Sequence, residues 1–268
     1  MSSKKSLKVA TVQFDPISGN FGYNSKVIAA FLEEAAQERA RLVLFPELAL
    51  SGYDLYLVEE GRCSVNESGA AINYLLNTCS RLQIYAVVGA CIQRPDGLAN
   101  GAFVINDKGN ILGIYEKHYL DSFEKKFFLQ GKTGLQFDVD SWKISIAISY
   151  DSQHPEHAKA MAKEDAAVYL VLGAFIKTGK ELSHSSIFST RAFDNTMYVA
   201  VSNFVGSHGE LDFSGQSAIF DPEGQILCEG SITEPGIFYA ELHESEILRI
   251  KNQPQVPIDI PVNPFFHK

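Results

Sequence analysis

Four side chains in this sequence stand where a packed core would not want them and where a reaction would. Glu47 lies in FPELALSGY (45–53), directly after the apolar run RLVLFP. Lys117 lies in GIYEKHYL (113–120), at the end of a strand-like run, and Glu124 follows seven residues later in DSFEKKFFLQGK (121–132). Ser149 lies in IAISYDSQHPE (146–156), where an apolar run gives way to Pro155-Glu156. A carboxylate at the mouth of a dry strand end suits a general base, although by itself it serves equally well to cap the next element. A strand-end lysine is ordinarily solvated, and a glutamate before Lys125 and Lys126 is ordinarily exposed. Serine is a nucleophile only with help. Its hydroxyl is far less acidic than a thiol, and serine hydrolases supply a hydrogen-bonded histidine. No histidine here sits in a recognisable triad motif. His154 and His157, spaced i, i+3 without a third ligand, read as surface residues rather than a metal pair. SGQS (214–217) and DPEG (221–224) are strand-edge and turn signals, not phosphate loops. No cofactor and no metal is expected.

The elements that must hold these residues alternate. LKVATVQF (7–14) is a nearly continuous apolar run, as in a strand covered on both faces. Val27, Ile28, Phe31, Leu32 and Ala35 then recur at helical spacing over 25–40, with Asn24 as the expected N-cap. Strands are expected at 41–46, 84–92, 101–106, 110–115, 142–149, 167–172, 197–204, 216–220, 225–228 and 236–241, and further helices near 69–82, 156–164 and 184–196. AFVINDKGNILGIY (102–115) and AIFDPEGQILC (218–228) echo each other as strand, acidic turn with glycine, strand. Each follows a β-α-β stretch, so two similarly built halves are expected. Such an alternation, with antiparallel hairpins, gives two sheets face to face and helices outside.

Composition sets the class. The 268 residues, 46% of them hydrophobic, suffice for one α/β domain with a large core. A net charge of −9 disfavours nucleic acid and anionic membrane as partners. No apolar run approaches the roughly 18 residues of a membrane span. The N-terminus is basic, but its apolar stretch is broken by Thr11, Gln13 and Asp15 and reads as a first strand rather than a signal peptide. Cys63, Cys79, Cys91 and Cys228 lack ligand spacing and read as free thiols in a reducing cytoplasm. Pro254, Pro257, Pro261 and Pro264 make 245–268 an extended tail to a single domain.

The text around Ser149 resembles the nucleophile segment of the nitrilase, or carbon–nitrogen hydrolase, superfamily. That segment runs apolar strand, Cys-Tyr-Asp, then a Pro-Glu that opens a helix. Tyr150, Asp151, Pro155 and Glu156 match it, and serine stands in place of the cysteine. FPELALSGY is similar to the family's first catalytic motif, and GIYEKHYL resembles its Arg-Lys-x-His-Leu motif, with Glu116 in place of the usual arginine and Tyr119-Leu120 in place of the usual Leu-Phe. Many members carry a second glutamate at the offset of Glu124. The resemblance covers about residues 6–242. It implies a four-layer αββα sandwich, Glu47 as general base, Lys117 as the ammonium facing a tetrahedral oxyanion, Glu124 beside it, and the Tyr150 backbone N–H as second oxyanion donor. It implies hydrolysis of a non-peptide carbon–nitrogen bond, in an amide or carbamoyl amide more than a nitrile, through a thioester. With Ser149 the form shown is expected to be very slow or inactive. The alternative is a natural pseudoenzyme that binds a ligand or protein through the old pocket. His118 is taken as structural, as are Arg191 and Asn195 in TRAFDNTMYVAVSN (190–203). Tyr53, Phe175 and Asn203 follow strand ends and are candidates to line the pocket. Apolar residues on the helices after Ser149 and around Arg191 (Ala158, Met161, Ala162, Ile187, Phe188, Phe193) point to a homodimer or larger even oligomer.

Overall fold

The computed structural model describes residues 5–177, 184–208 and 211–253. The chain runs β1 (Ser6–Gln13), α1 (Phe21–Gln37), β2 (Leu42–Leu44), α2 (Leu55–Glu59), α3 (Ala70–Leu82), β3 (Tyr85–Arg94), β4 (Gly97–Ile105) and β5 (Ile111–Glu116). It continues through β6 (Gln136–Val139), β7 (Trp142–Ile148), α4 (Tyr150–Gln153), α5 (Pro155–Lys163), β8 (Val168–Leu172), α6 (His184–Asn195) and β9 (Tyr198–Ser202). The short strands β10 (Ser207–His208) and β11 (Leu211–Asp212) follow, then β12 (Ala218–Phe220), β13 (Ile226–Glu229), β14 (Gly236–His243) and α7 (Glu244–Lys251).

The two halves are built alike. One sheet has the order β14-β1-β2-β3-β4-β5 and the other β13-β12-β9-β8-β7-β6. In each, a parallel trio (β1, β2, β3 or β7, β8, β9) carries an antiparallel hairpin on one side, β4–β5 or β12–β13. Each trio also has an antiparallel strand on its other side, β14 or β6. The echo at 102–115 and 218–228 is this pair of hairpins.

Every residue of β2 and β8 is buried, because each trio is covered on both faces. Between the sheets pack Val9, Leu44, Val87, Ile144, Ile146 and Leu170. The outer face of the first sheet meets Ile28 and Leu32 of α1 and Ile72 and Leu75 of α3. That of the second meets Ala158 of α5 and Phe188 and Ala192 of α6. The layers are therefore helix, sheet, sheet, helix, as the alternation predicts. Thr11 Oγ1 donates to the Val201 carbonyl (2.6 Å) and Ser202 Oγ to that of Val12, so polar bonds also fix one sheet against the other.

Three expectations change. Asn20, not Asn24, caps α1, its side chain accepting from the Tyr23 N–H. Asn24 lies inside the helix, where its amide is used on Ile17 and the Leu50 carbonyl. Residues 244–251 are helical rather than extended, since the prolines restrict the backbone only around and after Pro254. Glu244 and Glu246 in the first turn of α7, with Arg249 and Lys251 in the last, complement its dipole. Residues 254–268 lie outside the described part. Finally, Ala158 and Phe188 belong to the core, and of the six apolar residues read as surplus only Phe193 is largely exposed (65%).

Candidate active site

The parallel strands of both sheets deliver their C-terminal ends to one place, where open α/β sheets commonly bind ligands. Glu47 comes three residues after β2, Lys117 directly after β5, Ser149 directly after β7. The Glu47 N–H donates to the Gly173 carbonyl beyond β8 (3.2 Å), so the carboxylate of one half is anchored on the other. Gly89 of β3 underlies this anchor. A Cβ there would lie 2.3 Å from the Pro46 oxygen, 2.6 Å from the Leu48 nitrogen and 2.9 Å from the Glu47 Cα. Gly89→Ala is therefore expected to cost about 1–3 kcal/mol, read from urea unfolding.

Ser149 sits at φ 38°, ψ −96°, a conformation few non-glycine residues adopt. It is held there by its N–H to the Leu172 carbonyl (2.8 Å) and by its own carbonyl, which accepts from Ser152 N (3.0 Å) and Ser152 Oγ (2.6 Å). The turn points Oγ at Glu47 Oε2, to which it donates, while accepting from the Ala174 N–H (2.9 Å). Tyr150 then opens α4, so its N–H is among those with no partner inside the helix.

Lys117 Nζ donates to Oε1 of Glu47 (2.9 Å) and to Oε1 of Glu124 (2.7 Å). All three side chains are buried. Burial opposes the ammonium charge, but the two carboxylates outweigh it and hold the Lys117 pKa above the ordinary lysine value. For Glu124, burial and then the Glu47 charge outweigh Lys117 and push its pKa up to about 7. Two carboxylates against one ammonium leave one surplus negative charge in the buried cluster.

Asp151 ties this trio to the Ser149 turn. Its Oδ1 accepts from the N–H groups of His118 (3.1 Å) and Tyr119 (2.8 Å), just past Lys117. Its Oδ2 accepts from Ile148 N (2.9 Å) and the Tyr115 hydroxyl (2.8 Å). His157 stands behind, Nε2 on the Tyr115 hydroxyl (2.9 Å) and Nδ1 on that of Tyr169 (2.8 Å). Burial lowers the His157 pKa to about 4, so the ring is neutral at neutral pH. The Tyr115 hydroxyl already donates to Asp151, which assigns the proton to Nε2 and makes Nδ1 the acceptor.

Over the trio opens a cavity of about 1000 Å³, lined by Glu47, Lys117, Glu124 and Ser149 together with Tyr53, Asp54, Asp121, Phe123, Phe175 and His184. A carboxylate on a hydroxyl, with an ammonium between two carboxylates beside it, has the parts to take a proton and to face a developing oxyanion.

The sequence pattern of the carbon–nitrogen hydrolases matches residues 8–252. The chain belongs to the carbon–nitrogen hydrolase family. It is 29% identical to the 2-oxoglutaramate amidase of Bacillus subtilis (strain 168) over 257 residues, 94% of this chain and 96% of that one. Its fold superposes on Saccharomyces cerevisiae Nit3, of the nitrilase superfamily, with a TM-score of 0.85 at 24% identity, over 96% of both chains. A cysteine mutant of the Nesterenkonia AN1 amidase, carrying serine, matches with a TM-score of 0.81 at 25% identity, covering 92% of this chain and 95% of that one.

Of the residues singled out from sequence, this carbon–nitrogen hydrolase brings Glu47, Lys117, Glu124 and Ser149 together, with Tyr53 and Phe175 on the cavity wall. Asn203 is not on that wall. Its amide is spent on the backbone of Phe175 and Gly215 and on Ser214 Oγ, so it supports Phe175 from behind. Arg191 donates to the carbonyls of Ser152 (3.0 Å) and Gln153 (2.9 Å), closing the end of α4, and Asn195 donates to the Arg191 carbonyl (2.9 Å). His157 is buried, against its reading as a surface residue. Asn100 was not foreseen. It is buried on β4, with Nδ2 donating to Glu47 Oε1 (2.6 Å) and Glu124 Oε1 (3.3 Å). An asparagine inside the apolar strand GLANGAFVI is the signal that marks it, since strands disfavour asparagine.

Proposed function

We propose that this carbon–nitrogen hydrolase is built to cleave an amide or carbamoyl amide, with nitriles a lesser case, through a nucleophile at position 149. With serine there, its turnover is very slow or absent. The observation that carries the reading is the Ser149 Oγ donating to Glu47 Oε2 while the other oxygen of the same carboxylate is held by Lys117. Glu47 takes the proton from the attacking atom as that atom adds to the carbonyl carbon. Lys117 spends two of its three N–H bonds on the glutamates and keeps the third for the oxyanion. The Tyr150 N–H supplies the second donor. The carbon–nitrogen bond then breaks, Glu47 returns the proton to the departing nitrogen, and water hydrolyses the acyl group from residue 149. The amidase relatives in Bacillus subtilis and Nesterenkonia support an amide substrate. The test is Ser149→Cys, assayed for ammonia or amine release from short amides, carbamoyl amines and nitriles. A cysteine form inert to all of them, and not alkylated at position 149 by iodoacetamide, leaves the pocket as a binding module without turnover.

We extend this reading to assembly and place. Phe193 projects from α6 into solvent, and pairing of α5 and α6 with their copies across a two-fold axis would cover it. Light scattering is expected to give a dimer or larger even oligomer, and a monomer at micromolar concentration would refute this. Cys63, Cys79, Cys91 and Cys228 are all free thiols, which suits a reducing cytoplasm. No described helix is long and apolar enough to cross a membrane.

A further inference from the structure

We infer that Asn100 is a positioning residue that fixes the plane of the Glu47 carboxylate so that one oxygen faces the nucleophile, an inference that rests on Glu47 acting as the base. Asn100 Nδ2 and Lys117 Nζ donate to the same two atoms, Oε1 of Glu47 and Oε1 of Glu124. Two donors and two acceptors thus close a ring. The ring occupies one oxygen of each carboxylate and leaves the others for separate duties: Glu47 Oε2 for Ser149, and Glu124 Oε2 for the Asp121 N–H (3.2 Å). With Lys117 alone, the Glu47 carboxylate could twist about its last bond and turn its free oxygen away from Ser149. The second donor removes that freedom.

The residue type fits the task. A neutral amide makes both bonds without adding charge, whereas a second cation would neutralise the pair and make Glu47 a weaker base. An aspartate would bring a third carboxylate into a buried site that already holds two. The amide orientation is decided by its surroundings, because a flip would aim Oδ1 at two carboxylate oxygens. The Asn100 backbone is fixed as well, its carbonyl accepting from Lys117 N (2.9 Å) and its position paired with Cys91. Every hydrogen bond described for the side chain goes to Glu47 or Glu124, and its Oδ1 is buried with no partner among the described residues.

The experiment places Asn100→Ala, Asn100→Ser and Asn100→Asp in the Ser149→Cys protein. It reads amide hydrolysis against pH and, separately, the pH dependence of iodoacetamide alkylation at position 149, which needs no turnover. Losing a donor to a carboxylate raises its pKa, so the acid limb of both profiles is expected to move up by about one pH unit in the alanine and serine variants. At neutral pH kcat is expected to fall about 30-fold with KM within about twofold, because the oriented oxygen matters most in the transition state. Asn100→Asp is expected to fall further. Loss of rate with an unmoved acid limb would make Asn100 merely structural and overturn the inference, as would an aspartate variant with undiminished rate. If Ser149→Cys hydrolyses nothing while the alkylation limb still shifts with Asn100, the hydrolase reading fails and the positioning role stands. If the limb does not move, the positioning role fails whatever the amides do.

Discussion

Ser149→Cys is expected to raise hydrolysis of short aliphatic amides by roughly 10⁴-fold, the scale on which removing a catalytic nucleophile acts in other hydrolases. The substitution changes one atom at a turn that is already made. The backbone conformation of residue 149, its N–H on Leu172 and the approach of Glu47 are all in place with serine. What serine lacks is acidity. A thiol with a pKa near about 8.5 gives up its proton to a carboxylate far more readily than an alcohol does. Serine hydrolases overcome this with an imidazole on the hydroxyl. Here the buried imidazole of His157 is committed to Tyr115 and Tyr169 instead. Ammonia release measured side by side on the two proteins decides the matter. A serine form already within about tenfold of the cysteine form would mean that Glu47 alone suffices as base for an alcohol.

Lys117→Met is expected to be the most damaging change at the site, for stability as well as turnover. Removing one member of a buried charge cluster leaves the others uncompensated, a loss of about 3–5 kcal/mol. In the Ser149→Cys protein, losing an oxyanion donor is expected to cost a further factor of about 10²–10³ in kcat. The stability loss carries a sign in pH. Lys117 pulls the Glu124 pKa down against burial and Glu47, so its removal drives that pKa further above about 7. A carboxylate whose folded pKa exceeds its unfolded value stabilises the fold fully at low pH and loses that contribution as pH rises through the folded pKa. Lys117→Met should therefore unfold much more easily in urea at about pH 8 than at about pH 5. A deficit equal at both values would show that Glu124 does not titrate against the lysine.

Much of this site is legible in the sequence because its parts lie at ends. Glu47, Lys117 and Ser149 each follow an apolar run, and a charged or nucleophilic residue there stands out against its neighbours. Asn100 and His157 do not follow such a run. Asn100 sits in the middle of β4, and only its partners across the pocket give it meaning. His157 lies on α5, where spacing with His154 describes a helix face but not which face is covered. The same limit applies to Asn24 and Asn20, two good caps a turn apart. The choice between them is made by Ile17 and Leu50, which Asn24 must reach. Strand and helix alternation is local and readable, whereas strand order is set by pairings between distant residues. The closing of the first sheet by β14 is one of these.

That closure bears on how the protein is made. β1 is synthesised long before its antiparallel neighbour, Gly236–His243, with which it pairs in register Ser6 with His243. Until the ribosome has delivered β14, the nascent chain holds β1 as an open edge, able to pair with any other strand nearby. Glu47 stands beyond the strand next to β1 in that sheet. Glu47 is thus not seated in a finished sheet until Gly236–His243 has been made.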